Sequence, residues 1–418
     1  MKVLPLLLVA SACMGQTSPS QPVSQELLRL ARLRHAASRL FDKLPNITCT
    51  LSIERSYRLN TTRKFQLIDN LRLEVALIDG KELYAWPGSK RFEDRDLVEL
   101  VGTDGAIGDG DFAVHAKSIL FSGRTTLKFV GDETRDGRLV GKWQYRYPIE
   151  TSQYMVRIRP LEGMVGYSGF LYEDAANHDL LRIEMDIDEI PGHLPLRSGR
   201  KIITYERVRI GETSLLLPSE SEMTLIHAKG TESLNRTVFS SCRQFTGEST
   251  LTFDEPAPGA PAPGPTVAWS LPGGLAVQLK TKSDLNLVTS AVGDQISFAV
   301  AKDASSGKQV WLPSGAQVEG RIASLDCPKA PVQHCFALIR LESFSFANKE
   351  GAIRASMESP SMDQQFILMA TARRAILSQT QRIFLAPPEG SGSVFVKGAK
   401  WPKSSVSVWR TVKEPGGK

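Results

Sequence analysis

The residues best equipped for chemistry are few and scattered. Five cysteines stand at Cys13, Cys49, Cys242, Cys327 and Cys335. With Cys13 set aside, two fall in each half of the chain. An exported protein meets oxidising conditions, so even counts predict one disulfide per half, Cys49 with Cys242 and Cys327 with Cys335. Zinc is the rival use of such a set, but no Cys-x-x-Cys occurs and His334 is a poor second ligand type, so no metal is expected. Glu184, Asp186 and Asp188 alternate along one segment and would share one strand face, where they could bind calcium or act as acid and base; a solvated face is the expected reading. The run Gly105-Ala-Ile-Gly-Asp-Gly-Asp111 invites a phosphate or calcium reading. Its aspartates repel phosphate, its glycines match neither a Walker loop nor a dinucleotide fingerprint, and its carboxylate spacing fails the EF-hand template, which leaves a structural loop. Gly166-Tyr-Ser-Gly169 is not the five-residue nucleophile elbow, and the six histidines stand singly. Neither a catalytic residue nor a cofactor is expected, and no aromatic-basic motif points to nucleic acid.

The elements that must position these residues divide at Glu255-Pro-Ala-Pro-Gly-Ala-Pro-Ala-Pro-Gly-Pro-Thr266. Alternating prolines favour an extended polyproline path, so residues 255–266 read as a semi-rigid linker between a domain at 24–254 and a domain at 267–418. A chain of 418 residues also exceeds one ordinary core. Lys2, the short apolar run Val3 to Ala10 and the small residues after it read as an export signal over residues 1–15. Cleavage after Ala12 or after Gly15 fits. Cys13 directly after Ala10-Ser-Ala12 resembles a lipobox with Ala10 in place of the usual leucine, so lipid-anchored and free forms both stay open. No later stretch reaches 18 uninterrupted apolar residues, so the mature chain is expected to lack a membrane span. The net charge of +6 is uneven: from Thr371 onward the balance is +7, a basic C-terminal segment read as a solvated face.

Ser24 is placed to cap a helix that ends before Pro45, with Leu27, Leu30, Ala31, Ala37, Leu40, Phe41 and Leu44 on one face and Arg29, Arg32 and Arg39 free to point elsewhere. The period then changes to two. Ile47, Cys49, Leu51 and Ile53 alternate with polar residues, as do Leu71 to Leu77, Trp143 to Tyr147, and Leu181 to Ile187. Asp79-Gly80 and Asp136-Gly137 supply the positive φ angles of tight hairpins. Further strands are expected at Tyr154 to Arg159, Ile202 to Ile210, Leu215 to Pro218, Met223 to His227 and Arg236 to Phe239. A short helix over Phe112 to Phe121 is expected, capped by Asp109 or Asp111. Consecutive one-sided strands imply a mainly β fold, with one helix on a large antiparallel sheet.

This order of helix and amphipathic strands resembles the bacterial lipoprotein-carrier fold, in which a curved sheet wraps a helix and encloses an apolar cavity. Leu44-Pro-Asn-Ile-Thr-Cys-Thr50, Leu73-Glu-Val-Ala-Leu77, Glu82-Leu-Tyr-Ala-Trp-Pro-Gly88 and Ser241-Cys-Arg-Gln-Phe245 are similar to a family of uncharacterised exported bacterial proteins. In the second half, strands at 275–279, 295–300, 310–312, 318–322 and 336–341, with Val-Gly-Asp294 and Val-Trp-Leu-Pro-Ser-Gly-Ala316 between them, resemble small β-barrels of type IV secretion outer rings. A helix over Gln364 to Ser378 and short strands at Phe384-Leu385 and Val394 to Val396 complete the expectation. None of these resemblances transfers a functional residue. The implied activity is that of an exported, non-enzymatic binding or carrier protein holding a lipid or other apolar ligand in its first domain. An envelope scaffold that binds proteins is the alternative, and a hydrolase assembled from distant residues is the third. A lined apolar pocket, a filled core and a cleft with converging His, Asp or Ser would separate the three.

Overall fold

The computed structural model describes residues 24–41, 44–78, 80–89, 92, 97–101, 106–244, 267–327, 334–358 and 387–413. The expected export signal with Cys13, the linker at 255–266, the helix over 364–378 and the strand at 384–385 lie outside the described residues. The chain is mainly β, with one large antiparallel sheet and one sheet curled into a half-barrel.

Residues 24–244 contribute α1 (Gln25–Phe41), β1 (Ile47–Arg58), β2 (Gln66–Ile78), β3 (Lys81–Ala85), α2 (Leu97–Val101), α3 (Val114–Phe121), β4 (Lys128–Arg135), β5 (Arg138–Tyr147), β6 (Met155–Ile158), β7 (Leu161–Met164), β8 (Gly166–Asp174), β9 (Leu180–Glu189), β10 (Leu196–Ile210), β11 (Thr213–His227) and β12 (Glu232–Gln244). Ten strands run in the order β3-β2-β1-β12-β11-β10-β9-β8-β5-β4, while β6 and β7 pair apart. Neighbours in sequence pair wherever a short turn allows it. At Asp136-Gly137 both residues have positive φ, 50° and 77°, which matches the right-handed twist of the β4–β5 hairpin. The last strand, β12, returns to lie beside β1. Cys49 and Cys242 join these two neighbours across 193 residues of sequence. Cys327 and Cys335 join across 8.

The Ser24 hydroxyl accepts the Leu27 N–H at 3.2 Å and caps α1. Leu30, Leu33, Ala37 and Phe41 form the buried stripe, whereas Leu27, expected in it, is 58% exposed. The stripe lies with Ala116, Ile119 and Leu120 of α3 against Trp143, Tyr145, Tyr147, Tyr167, Ile183 and Ile203 on the inner face of the sheet. Arg29 does not point elsewhere. Its Nε donates at 2.5 Å to Glu173, which is 0% exposed and also accepts the Trp143 indole N–H at 3.0 Å. The helix is thus fixed to β8 by charge as well as by apolar contact. Strand β8 carries little period-two signal of its own, because Gly166 and Gly169 dilute its apolar pattern. Gly169 is required there: a Cβ would overlap the Glu184 carbonyl oxygen, the group that accepts the Tyr145 hydroxyl at 2.8 Å.

The second sheet orders strands Val267–Ala268, Lys349–Ala352, His334–Phe346, Gln317–Asp326, Gln295–Val300, Ala276–Thr281, Val406–Thr411 and Ala355–Met357, with Gly392–Lys397 paired to His334–Phe346. Its core gathers Val277, Phe298, Val318, Ile339, Phe344 and Trp409. The basic C-terminal segment is partly neutralised, with Lys400 on Asp284 at 2.8 Å and Arg410 on Glu358 at 2.5 Å.

The two sheets meet. Arg72 N–H donates to the Val292 carbonyl and Val292 N–H to the Asn70 carbonyl, each at 2.8 Å. The Arg72 guanidinium pairs with Asp294 at 2.7 Å, and Arg321 donates to the Pro87 carbonyl at 2.8 Å. Gly293 sits at this crossing with φ of 102°, and a Cβ there would overlap the Arg72 carbonyl oxygen and the Trp86 ring. Gly293→Val is therefore expected to cost about 2 kcal/mol or more through overlap and backbone strain. Scanning calorimetry should show a lowered or split transition, and an unchanged single transition would refute the account of this contact.

Candidate functional site

Strand β10 places Lys201, Ile203 and Tyr205 on the inner face, because alternate residues share a face. The pairing registers extend that face across the sheet. One row reads Met185, Lys201, Met223, Asn235, Arg55 and Asp69 on β9, β10, β11, β12, β1 and β2. Four of the six are polar, on the side where apolar residues pack. Lys201 is 3%, Asn235 4% and Arg55 1% exposed. Such groups must be paired.

Arg55 makes a two-pronged contact with Asp69, at 2.8 and 2.6 Å. The other partners come from one strap, residues 106–112, laid along the row. Asn235 Nδ2 donates to the Ala106 carbonyl at 2.9 Å, Lys201 Nζ to the Asp109 carbonyl at 2.6 Å, and the Tyr205 hydroxyl to the Asp111 carbonyl at 2.9 Å. Asp111 Oδ1 lies 2.5 Å from Lys201 Nζ, and Oδ2 accepts the Ser221 hydroxyl at 2.7 Å. From β3, Glu82 accepts the N–H groups of Gly110 and Phe112 at 2.8 and 3.0 Å and the Tyr84 hydroxyl at 2.6 Å. Gly110 carries φ of 81° at the bend of the strap. The expected glycine-aspartate loop is structural in this sense, but neither aspartate caps a helix: α3 starts from Ala113 with no side-chain cap. Asp111 is spent on Lys201 instead.

Electrostatics follow from enclosure. Burial pulls the Lys201 ammonium down, but Asp111 outweighs it and the group stays protonated. Burial pushes Glu82 up, with Asp111 adding to the effect. Burial and then the Lys201 charge push His115 down to about 3, so its ring is neutral across the physiological range. Because the folded ring titrates below the unfolded value of 6.5, the unfolded chain takes up the proton first as pH falls. Stability from this group is present above pH 6.5 and lost between 6.5 and about 3, at up to ~1.4 kcal/mol per pH unit. Lys201, the Asp109 carbonyl and the Tyr154 ring face it. Urea unfolding at pH 7 and pH 4 should show a flatter pH dependence for His115→Gln than for the native chain; identical slopes would mean that the ring titrates normally.

Beside the strap lies a cleft of about 90 Å³. Leu97 and Val98 of α2, Ile107 and Gly108 of the strap, Tyr154, Met155 and Val156, and Met223 and Leu225 of β11 line it, with Asp109 and Arg157 adding polar groups. Its lining is predominantly apolar. A larger groove of about 710 Å³ runs between the two sheets, from Tyr84, Ala85 and Trp86 to Glu319, Ser343, Ser345 and Glu350.

The carboxylates singled out by spacing do not join the inner row. Glu184 lies against Arg182, Arg200 and Arg135 at 2.7, 2.9 and 3.5 Å, Asp186 against Arg200 at 2.9 Å, and Asp188 against Arg146 at 2.9 Å. They are an arginine-paired ladder, not the freely solvated face expected, since cross-strand neighbours supply the cations. Burial opposes ionisation of Glu184, but the Arg182 hydrogen bond and the surrounding arginine charge leave its carboxyl below the usual range. His178 contacts Glu173 at 3.0 Å and His193 the Glu162 carbonyl at 3.0 Å. Among the described residues no group of three or more His, Cys, Asp or Glu side chains is arranged to hold a metal ion.

No protein-family model matches the sequence, and no curated protein does. Among solved structures, a LolA-superfamily protein from Nitrosomonas europaea shares 12% identity over 52% of this chain and 94% of its own, with a TM-score of 0.27. The Mycobacterium tuberculosis lipoprotein LppX shares 9% identity over 53% of this chain and 98% of its own, at 0.22. MucB, solved in complex with MucA(peri), shares 14% over 78% of this chain and 90% of its own, at 0.18. Lipoprotein-carrier-like structures thus align with about half of the chain. At these scores the likeness carries no functional argument.

Proposed function

We propose that this chain is an exported, non-enzymatic binding or carrier protein of the bacterial envelope that holds an apolar group on the inner face of its first sheet. The observation carrying this reading is the cleft beneath α2, where Leu97, Ile107, Tyr154, Met155, Met223 and Leu225 converge. Its volume of about 90 Å³ is below the ~150 Å³ of an engineered apolar cavity that admits benzene, so it takes the end of a chain and not a whole lipid. The reading includes two domains, 24–254 and 267–418, joined by the proline-rich spacer, and a mature chain either free in the periplasm or anchored through Cys13. Among the described residues no helix is long and apolar enough to cross a membrane.

Native mass spectrometry with solvent extraction, on protein purified from an exporting host, tests the reading. A reproducible stoichiometric apolar molecule supports it. A clean apo mass overturns it in favour of an envelope scaffold that binds proteins. Two observations favour that second reading: the inner face is largely filled by α1, α3 and the tyrosine cluster, and the groove between the sheets borders β3, the terminal strand of its sheet.

A further inference from the structure

The β1–β2 hairpin ends in a tip that the rest of the fold leaves uncovered. Every residue from Leu59 to Leu67 is exposed. The last ladder pairs set Tyr57 against Gln66 and Arg58 against Glu232, so the tip projects beyond the start of β12. Polar contacts hold its shape. Asn60 Oδ1 accepts the Thr62 N–H at 3.2 Å and the Thr62 hydroxyl at 2.7 Å, and the Asn60 carbonyl accepts the Arg63 N–H at 3.1 Å. Arg58, paired with Glu232, donates to the Thr61 carbonyl at 3.3 Å. The apolar side chains are left to solvent: Leu59 is 62%, Phe65 37% and Leu67 39% exposed, with the Arg58 guanidinium 4.5 Å from the Phe65 ring centre. Cations stand beside them. Arg63 and Lys64 lie in the tip, Lys229 is exposed in the β11–β12 turn at the same end of the sheet, and no Asp or Glu occurs between Arg55 and Asp69. Among the described residues none of these three cations makes an ion pair.

Three large apolar groups on one exposed tip make the kind of patch that marks a membrane or partner contact. A projecting tip has no hollow in which to hold a partner's side chain. Apolar groups flanked by unpaired cations instead match a lipid surface, where anionic headgroups lie above hydrocarbon. We propose that the β1–β2 hairpin docks the protein on an anionic lipid surface, with Leu59, Phe65 and Leu67 entering the headgroup layer and Arg63, Lys64 and Lys229 meeting its phosphates. The contact is independent of the cleft beneath α2. Long Lys and Arg stems allow the charges to stay at the phosphates while the apolar groups go deeper.

The test uses the full exported chain carrying Cys13→Ser, so that no acyl anchor contributes, and sedimentation with vesicles of phosphatidylcholine alone or mixed with phosphatidylglycerol. The chain is expected to sediment with the anionic vesicles only, and to leave them in ~1 M salt, where the screening length falls to ~3 Å. Arg63→Ser/Lys64→Ser should weaken binding about 25-fold, at about fivefold per cation. Lys302→Ser/Lys308→Ser removes the same charge from exposed positions in the second half of the chain and should change binding less than about twofold. Leu59→Ser/Phe65→Ser keeps the bonds of the turn and should weaken binding about tenfold or more. Leu59→Trp gives a readout that needs no loss of binding: its emission should shift to the blue on anionic vesicles. If the chain ignores anionic vesicles, the tip serves a protein partner or only solvent, and the proposal is overturned. It is equally overturned if the Lys302 and Lys308 pair matters as much as the hairpin pair, or if the tryptophan emission stays unmoved while the chain is bound.

Discussion

Glu173→Ala is expected to lower the unfolding free energy by about 3 to 5 kcal/mol, the usual cost of removing one partner from a buried ion pair. Glu173 has no exposed surface and serves three donors at once: Arg29 of α1, the Trp143 indole and the His178 ring. Its loss leaves the buried indole N–H without its acceptor and Arg29, which the Phe129 ring covers at 4.4 Å, with Asp132 at 2.8 Å as its remaining carboxylate. Glu173→Gln keeps the shape and one acceptor and should cost less than the alanine. Urea unfolding of both variants measures the difference. A loss under about 1 kcal/mol for the alanine would show that α1 is held by its apolar stripe alone.

The paired replacement Cys49→Ser and Cys242→Ser is the other large effect, at about 3 to 5 kcal/mol on the chain-entropy account of a loop this long. The bridge ties β1 to β12, the contact by which the last strand closes onto the first. Without it the unfolded chain regains the freedom of 193 residues of sequence separation. The Cys327 and Cys335 bridge spans 8 residues and should be worth less. Unfolding midpoints of the two serine pairs compare them directly, and intact mass with and without reduction checks that both bonds exist in the purified protein. A first pair no more costly than the second would mean that the β1–β12 ladder alone holds the closure.

Several features were legible in the sequence because their causes are local. A hydroxyl at Ser24 finds the Leu27 N–H wherever a helix starts there. Asp136-Gly137 adopts positive φ because few other pairs do so at low cost. Alternation put Ile47, Leu51 and Ile53 on a buried face, and Lys201, Ile203 and Tyr205 carry the same period-two signature for a lysine on the inner side. A lone Lys beside two apolar residues is too ordinary a pattern to mark a buried ammonium by itself.

What the tertiary structure alone decided is which residue meets which. Alternation assigns a face but not a neighbour; the neighbour depends on register, which the hydrogen-bond ladder and its bulges at Thr204/Tyr205 and Arg55/Ser56 set across strands far apart in sequence. Hence the row from Met185 to Asp69, the strap that pairs with Lys201 and Asn235, and the use of Asp111 against Lys201 rather than as a helix cap have no local signal. Arg29 and Glu173 are 144 residues apart for the same reason. The sequence by itself determined the β class, the inward faces and the cysteine pairs. Folding determined that a polar row would cross an apolar face, because buried donors take the partners that the packed chain brings to them.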